Sequence, residues 1–310
     1  ENTLKNYSIN SKLEMVRRIS HIIEDNFITN SIDFKMFDKV TEEGTSKIIK
    51  EMHHRGLSLF HVKYLAMMSI TSDNNSIKKI EDFKIFLGLV DNITSFAPIF
   101  RHRLDKKMNN PEKAEMLIIK MSFQQIKYSE AVFDDFLRYN YFFNFKNENI
   151  NMEDIFKKHF NFSFEEYAKF VNLVFLLSSK TQVLSKEIIL NNIPTLDKLK
   201  IQSMLKHLTQ TRDEFIESFN KNNKIGTEDY DQFQKLYDFN PLLIKPFISY
   251  EEELYLPIPQ LMYWAITEGF YHKICDEEGK KFTEDFGKNV FEKYIEKIIK
   301  TNEKIKIFPE

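Results

Sequence analysis

The sequence contains few glycines and prolines, which form the turns between strands, and a single cysteine. Only 7 Gly and 8 Pro occur among 310 residues, and a fold built of many strands needs more of both at its turns. This scarcity favours helices. The single cysteine, Cys275, excludes an internal disulfide and cannot build a thiolate metal site. One cysteine is also typical of a protein of the reducing cytoplasm, which is the predicted location.

The chain also lacks a strong charge of either sign and a long apolar run. Its net charge is −2, so no global field attracts nucleic acid or an anionic membrane, and any such contact depends on a local patch. The longest apolar run lies within 170–177 and is far shorter than the roughly 20 residues that span a bilayer. The first five residues do not have the layout of a signal peptide. We therefore expect no contact with a membrane.

Complete catalytic motifs are missing as well. Glycine-rich phosphate loops, the GxSxG elbow and the HExxH motif do not occur. His53, His54 and His61 share one predicted helical region, but no further ligands lie at the spacing of a metal site. The acidic runs at 251–253 and 276–278 are typical of solvated turns. We assign no catalytic residue, no metal ligand and no cofactor.

What the chain does contain is helical periodicity. With 42 % hydrophobic and 29 % charged residues, the composition is that of a globular protein. Ser163 and Glu166 form a capping-box pattern ahead of an apolar helix. After Pro241 two β-prone runs, 242–250 and 253–258, predict a short edge-type hairpin. The fold class is therefore predicted as mainly α, a multi-helix array with one short β-hairpin near the C-terminal third. Helices are predicted over 11–24, 45–54, 57–70, 76–90, 112–139, 164–177, 186–191, 196–207, 260–274 and 283–300.

Two changes in composition and periodicity along the sequence predict domain limits. The segment 140–151 is aromatic and then Asn-rich, which indicates a loop, and the helical periodicity is interrupted at Pro241. We predict an N-terminal helical domain at 1–140 and a second helical domain at 151–240. The hairpin and two helices at 241–310 then lead towards a further C-terminal domain. The alternating residues 304–308 predict the beginning of a strand.

The stretch 183–212 is the best candidate for a binding function. Two short helices joined by a Pro-containing turn resemble the core of a helix-turn-helix, whose second helix contacts phosphates and base edges. The interpretation that remains open beside this one is a plain helical hairpin with a solvated basic face. The candidate nucleic-acid-binding residues are Lys198, Lys200, Gln202, Lys206, His207 and Arg212.

A second basic patch precedes the long predicted helix at 112–139. It combines arginines and lysines within seven positions, and it is either an anion site or a solvated face. Its residues are Arg101, Arg103, Lys106 and Lys107.

Several segments carry a resemblance to a known group of proteins. They are Ser122-Phe123-Gln124-Gln125-Ile126, the stretch 162–177, the stretch 241–248, Tyr255-Leu256-Pro257-Ile258-Pro259, Gly269-Phe270-Tyr271 and the stretch 286–295. These segments resemble a group of bacterial multidomain proteins, some associated with phage defence, in which a long helical region precedes a PD-(D/E)XK nuclease-like domain.

The resemblance implies a role without catalysis for these 310 residues. The nuclease core of such a protein would begin near 304–308 and supply its Asp and its acidic-x-Lys strand beyond Glu310. The leading hypothesis is a regulatory or recognition region of a nuclease-associated, antiviral defence protein. It would bind a protein partner, its own C-terminal domain, a trigger or nucleic acid. The alternative is a stand-alone helical interaction or scaffold protein without enzymatic activity.

Overall fold

The computed structural model of the chain describes residues 4–28, 59–72, 76, 78–80, 88, 132–181, 184–193, 196–227 and 238–301. Within these residues the fold is mostly helical, with a small sheet in the C-terminal third. The predicted fold class is therefore confirmed. Four predictions lie wholly or largely outside the described residues: the helices at 45–54 and 76–90, the first part of the helix at 112–139, and the strand at 304–308.

The described helices are labelled α1 to α11 in chain order. They are Ile9–Ile28, Leu59–Thr71, Val132–Phe143, Met152–Phe160, Phe164–Lys180, Lys186–Asn192, Lys198–Leu208, Arg212–Asn223, Leu261–Trp264, Phe270–Phe286 and Glu292–Thr301. Two π-helical turns, Ala265–Gly269 and Gly287–Phe291, connect the last three helices into one nearly continuous run. Within the described part of the chain no helix is both long and apolar enough to cross a membrane.

Local hydrogen bonds explain where the helices begin. Ser163 Oγ accepts a hydrogen bond from the Glu166 N–H at 3.2 Å, and Glu166 Oε2 accepts one from the Ser163 N–H at 2.9 Å. The predicted capping box at the start of α5 is thus confirmed. Thr211 and Glu214 form the same reciprocal pair at the start of α8. Each box satisfies two backbone groups that a helix end would otherwise leave without partners.

The last long helical stretch is interrupted where the sequence predicts a turn. Two helices separated by a turn at 276–279 are expected from the sequence, and the run labelled α10 consists of two helical segments that meet at a kink at Gly279. Gly279 has φ 78° and ψ −164°, a backbone conformation that side chains disfavour and glycine tolerates. Ile274 before the kink and Phe282 and Phe286 after it are buried, so both helical segments pack against the core.

The sheet contains the predicted hairpin and one additional strand. β2 (Phe247–Tyr250) pairs antiparallel with β3 (Glu253–Tyr255) around a turn at Glu251 and Glu252. The residues before β2 form a 3₁₀ turn, Pro241–Leu243, so the strands are shorter than predicted. The remaining strand, β1 (Thr209–Thr211), is not predicted by the sequence, and it pairs parallel to β2 with Thr209 opposite Phe247. Three residues are too few to show strand periodicity in a sequence.

In the part of the chain that the structure describes, the apolar core forms two clusters that share β2 and α9. One cluster joins α1 and α2 to residues of α8, and the other joins α3 to α7 with α10. Phe247 belongs to the second cluster and its neighbour Ile248 to the first, because successive residues of a strand point to opposite faces. The predicted domain limits near residues 140 and 241 stay predictions.

Buried cations on α1 meet the ends of two other helices. Lys12 and Arg17 are both fully buried. Lys12 Nζ donates to Ser72 Oγ at 2.6 Å, just past the end of α2. Arg17 donates to the Ser178 and Thr181 carbonyl oxygens at the end of α5. The guanidinium of Arg17 is favourable at its position because the last carbonyls of a helix have no partner within it.

Lys12 makes stability depend on pH. Burial, and then the nearby charge of Arg212, lowers the pKa of Lys12 from 10.5 to about 8. Between about pH 8 and pH 10 the unfolded chain therefore binds more protons at this position than the folded chain, and the free energy of unfolding rises with pH. We expect Lys12→Met to remove this rise and to raise stability at pH 7, by up to about 3 kcal/mol. Urea unfolding across this range measures both effects.

Comparison with the parent chain isolates Lys12 from other groups. Burial raises the pKa of Tyr139 and Tyr167. Their contribution to the free energy of unfolding falls only above about pH 10, where tyrosine ionises in the unfolded chain. Ser72 keeps a partner in the variant, because its hydroxyl donates to the Ser69 carbonyl. A stability difference between parent and variant that does not change with pH would refute the expectation.

Candidate nucleic-acid interface

The two helices of the candidate region form where the sequence predicts them. Ser185 caps α6 by accepting from the Ile188 N–H at 3.2 Å, and Asp197 caps α7 by accepting from the Leu199 N–H at 2.9 Å. Pro194 in the connection lies outside the described residues. One face of α7 is buried in the second core cluster, through Ile201, Met204, Leu205 and Leu208. This packing leaves the opposite face of α7 towards solvent.

Three of the predicted residues share that exposed face. Lys198, Gln202 and Lys206 recur every four residues and are all exposed, as one face of an α-helix requires. Leu199 lies beside them and is 73 % exposed. Lys198 Nζ donates to Asn191 Oδ1 at 2.9 Å, which links the exposed sides of α6 and α7.

The structure places Lys200 on another side of α7. Its Nζ is 3.0 Å from Glu166 Oε1 and lies 5.9 Å from the centroid of the Phe162 ring. The pKa of Glu166 is lowered, first by the hydrogen bond from the Ser163 backbone and further by Lys200. Part of the positive charge of Lys200 is therefore balanced within the protein.

Arg212 has an internal structural position. Its Nε donates to the Ile70 carbonyl at 3.0 Å and its Nη2 to the Ser72 carbonyl at 3.4 Å. The guanidinium thus caps the end of α2, where carbonyl groups need donors. The structure does not bring Arg212 together with the lysines of α7.

His207 is half-buried and lies beside the exposed face of α7. Its ring meets the Phe160 ring edge-on, with the centroids 5.7 Å apart. Burial lowers the pKa of His207, and the charges of Lys273, Lys206 and Lys245 lower it further. The imidazole therefore lies in a region of positive potential. Three different parts of the chain supply these lysines.

Lys245 and Lys273 are not predicted as site residues from the sequence. Lys245 directly precedes Pro246 in the connection to β2, and Lys273 lies on α10 with its Nζ 5.2 Å from the centroid of the Phe160 ring. Neither residue belongs to a basic run in the sequence, so no local signal marks it. Only the packing of α10 and the pairing of β2 bring these lysines to α7.

The two ends of α7 differ in charge. At its first turn a cleft of about 450 Å³ is lined by side chains of both signs. They are Ser185, Lys186, Glu187, Leu190, Asn191, Lys198, Glu252 and Glu253. Glu251 and Glu252 have φ of 50° and 66°, as a two-residue hairpin turn requires, and this turn places acidic residues beside Lys198. The last turn of α7 instead carries Lys206 and faces further lysines, so an anion is favoured there.

Two further points concern other candidate sites. The patch of Arg101, Arg103, Lys106 and Lys107 lies outside the described residues. Among the residues that the structure describes, no group of three or more His, Cys, Asp or Glu side chains is arranged to hold a metal ion. Compared with protein-family models, with curated proteins and with solved structures, the chain has no match.

Proposed function

We propose that this chain is a recognition region that binds nucleic acid through the exposed face of α7. The observation that carries the proposal is the row of Lys198, Gln202 and Lys206 on a helix whose other face is anchored in the core. Lysine binds backbone phosphates, and glutamine can contact base edges. A helix fixed along one side presents such groups without a large ordering cost.

The kind of protein to which this region belongs is proposed from the resemblance of the sequence to bacterial nuclease-associated, defence-related proteins. The region would act in the cytoplasm, and its protein partner would be its own C-terminal nuclease-like domain. The gene downstream of Glu310 provides the test. A following Asp and an acidic-x-Lys strand would support this setting, whereas a stop codon directly after Glu310 would contradict it.

Charge reversal on α7 tests the binding face. Changing Lys198 and Lys206 together to Glu should weaken binding of duplex DNA or RNA by about tenfold or more, because repulsion replaces attraction at two positions. For the parent chain the logarithm of affinity should fall linearly with the logarithm of salt concentration, with a slope of about −0.9 per phosphate contact on duplex DNA. Fluorescence anisotropy with a labelled oligonucleotide measures both.

A matched control carries the same change in net charge elsewhere. Lys280 and Lys293 are exposed lysines on α10 and α11, and their double change to Glu should weaken binding far less. Stability of both variants should stay within about 0.5 kcal/mol of the parent, as is usual for surface substitutions. Equal losses in the two variants would assign binding to net charge alone and refute the proposed face.

A second candidate function is protein–protein interaction. α11 and the turn before it expose an apolar stripe of Phe291, Ile295 and Ile298, which are 46 %, 37 % and 42 % exposed. Such a stripe is typical of a helix that packs against another protein surface. If the parent chain binds neither DNA nor RNA at low salt, as judged by electrophoretic mobility, this alternative is favoured.

A further inference from the structure

The parallel pairing of β1 and β2 places two basic residues at the same end of the sheet, where both strands begin. Thr209 is opposite Phe247 at the start of both strands. His207 lies two positions before β1, and Lys245 lies two positions before β2. The backbone segments that lead into the two strands are therefore neighbours at this end of the sheet. Gln210 fixes the approach to β2, because its buried amide Nε2 donates to the Lys245 carbonyl at 2.5 Å. The backbone of Lys245 is thereby held next to the end of α7.

The Phe160 ring supports a third basic residue at the same place. The ring is fully buried and stacks on Phe270 with the centroids 3.9 Å apart. Both His207 and the Lys273 ammonium lie against it, at 5.7 Å and 5.2 Å from its centroid. A rigid aromatic platform therefore positions the imidazole and one ammonium group.

The charges around His207 are mostly positive. Lys206 comes from α7, Lys245 from the connection to β2, and Lys273 from α10. Glu277, one turn after Lys273, is the opposing charge. Its Oε1 is 3.9 Å from Lys273 Nζ, and its Oε2 is 2.7 Å from His159 Nδ1. One carboxylate stands against three ammonium groups, so it offsets only part of the positive charge around His207.

We propose that Lys206, Lys245, Lys273 and His207 form a binding site for a phosphate group. Three ammonium groups and a ring N–H supply donors from several directions, and phosphate oxygens accept such charge-assisted hydrogen bonds. The inference deepens the proposed function and rests on it in one respect: the phosphate would be that of a nucleic-acid backbone. Free phosphate is the other source of the same chemistry.

Two titrations test the site. In the first, inorganic phosphate is added to the chain, and the NMR signal of the His207 ring is followed against pH, with His207→Gln to assign it. Phosphate should raise the pKa of His207 by about one unit, because a nearby anion favours the imidazolium. The ring of His272, which is exposed, serves as the internal reference. Without phosphate, the double variant Lys245→Gln, Lys273→Gln should already raise the pKa of His207, because two repulsive charges are removed.

In the second titration, a labelled oligonucleotide replaces inorganic phosphate. The same double variant should bind about tenfold more weakly, and the steepness of its salt dependence should fall by about one for each phosphate that it no longer neutralises. The control is Lys280→Gln with Lys293→Gln, which removes equal charge elsewhere. Thermal unfolding of each variant confirms that it is folded.

The outcomes separate the two proposals. A chain that binds the oligonucleotide while the double variant binds equally well overturns the phosphate site and leaves the proposed function standing. A His207 response to phosphate without oligonucleotide binding supports the site with free phosphate as its source, and contradicts the proposed function. A His207 pKa that phosphate does not change, together with equal oligonucleotide binding by the double variant and the parent, overturns the site.

Discussion

Replacing Arg17 with methionine is expected to lower the free energy of unfolding by about 3–5 kcal/mol. Arg17 is 1 % exposed. Its guanidinium donates to the Ser178 carbonyl and, at 3.0 Å, to the Thr181 carbonyl, and it pairs with Glu14 Oε2 at 2.7 Å. Methionine fills similar space but offers no donor. Two carbonyls at the end of α5 and one carboxylate would then lose their partner, and buried polar groups without partners are costly.

Chemical denaturation of the parent and the variant measures this loss. Lys180→Met is the matched control, since it removes an exposed cation from the same end of α5. That change should stay within about 0.5 kcal/mol. A loss for Arg17→Met below about 1 kcal/mol would mean that the contacts between α1 and α5 do not stabilise the fold as described.

The second large effect is expected at Phe160. Changing this residue to alanine should cost about 3–5 kcal/mol, because a fully buried ring is replaced by a cavity. The ring stacks on Phe270 and also packs against Phe156, with the centroids 4.8 Å apart in the latter pair. The same change removes the surface on which His207 and Lys273 lie, so phosphate binding should weaken as well.

Urea unfolding and the phosphate titration together check this expectation. Leu199→Ala provides the control, because the side chain is 73 % exposed on α7 and its loss should change stability by no more than about 0.5 kcal/mol. If Phe160→Ala costs less than about 1.5 kcal/mol, the aromatic cluster around it is less tightly packed than the structure indicates.

Helix positions could be predicted because their causes are local. Ser163 and Glu166 specify the start of α5 within four residues, and Ser185 lies at the start of α6 as an N-cap. A capping side chain and its backbone partner are near in sequence, so the pattern alone is informative. The hairpin was also predictable, since the acidic turn at Glu251 and Glu252 separates two β-prone runs.

The candidate site could be predicted only in part. Lys198, Gln202 and Lys206 follow from helical spacing and are exposed as expected. Arg212 is near them in sequence, yet its guanidinium points to the end of α2. A basic side chain near a helix start has the same local pattern whether it faces solvent or caps another helix. Its direction depends on which helix end lies beside it.

The sequence by itself determined the helical character of this protein, the short hairpin and the exposed row on α7, because each depends on periodicity and capping within a few residues. Only the tertiary structure decided that the charges of Lys245 and Lys273 act on His207. This arrangement depends on β1, a strand too short to recognise, and on its parallel register with β2. It also depends on the stacking of Phe160 against Phe270. Contacts between residues so far apart in the chain follow from how the elements pack, and no local pattern specifies that packing.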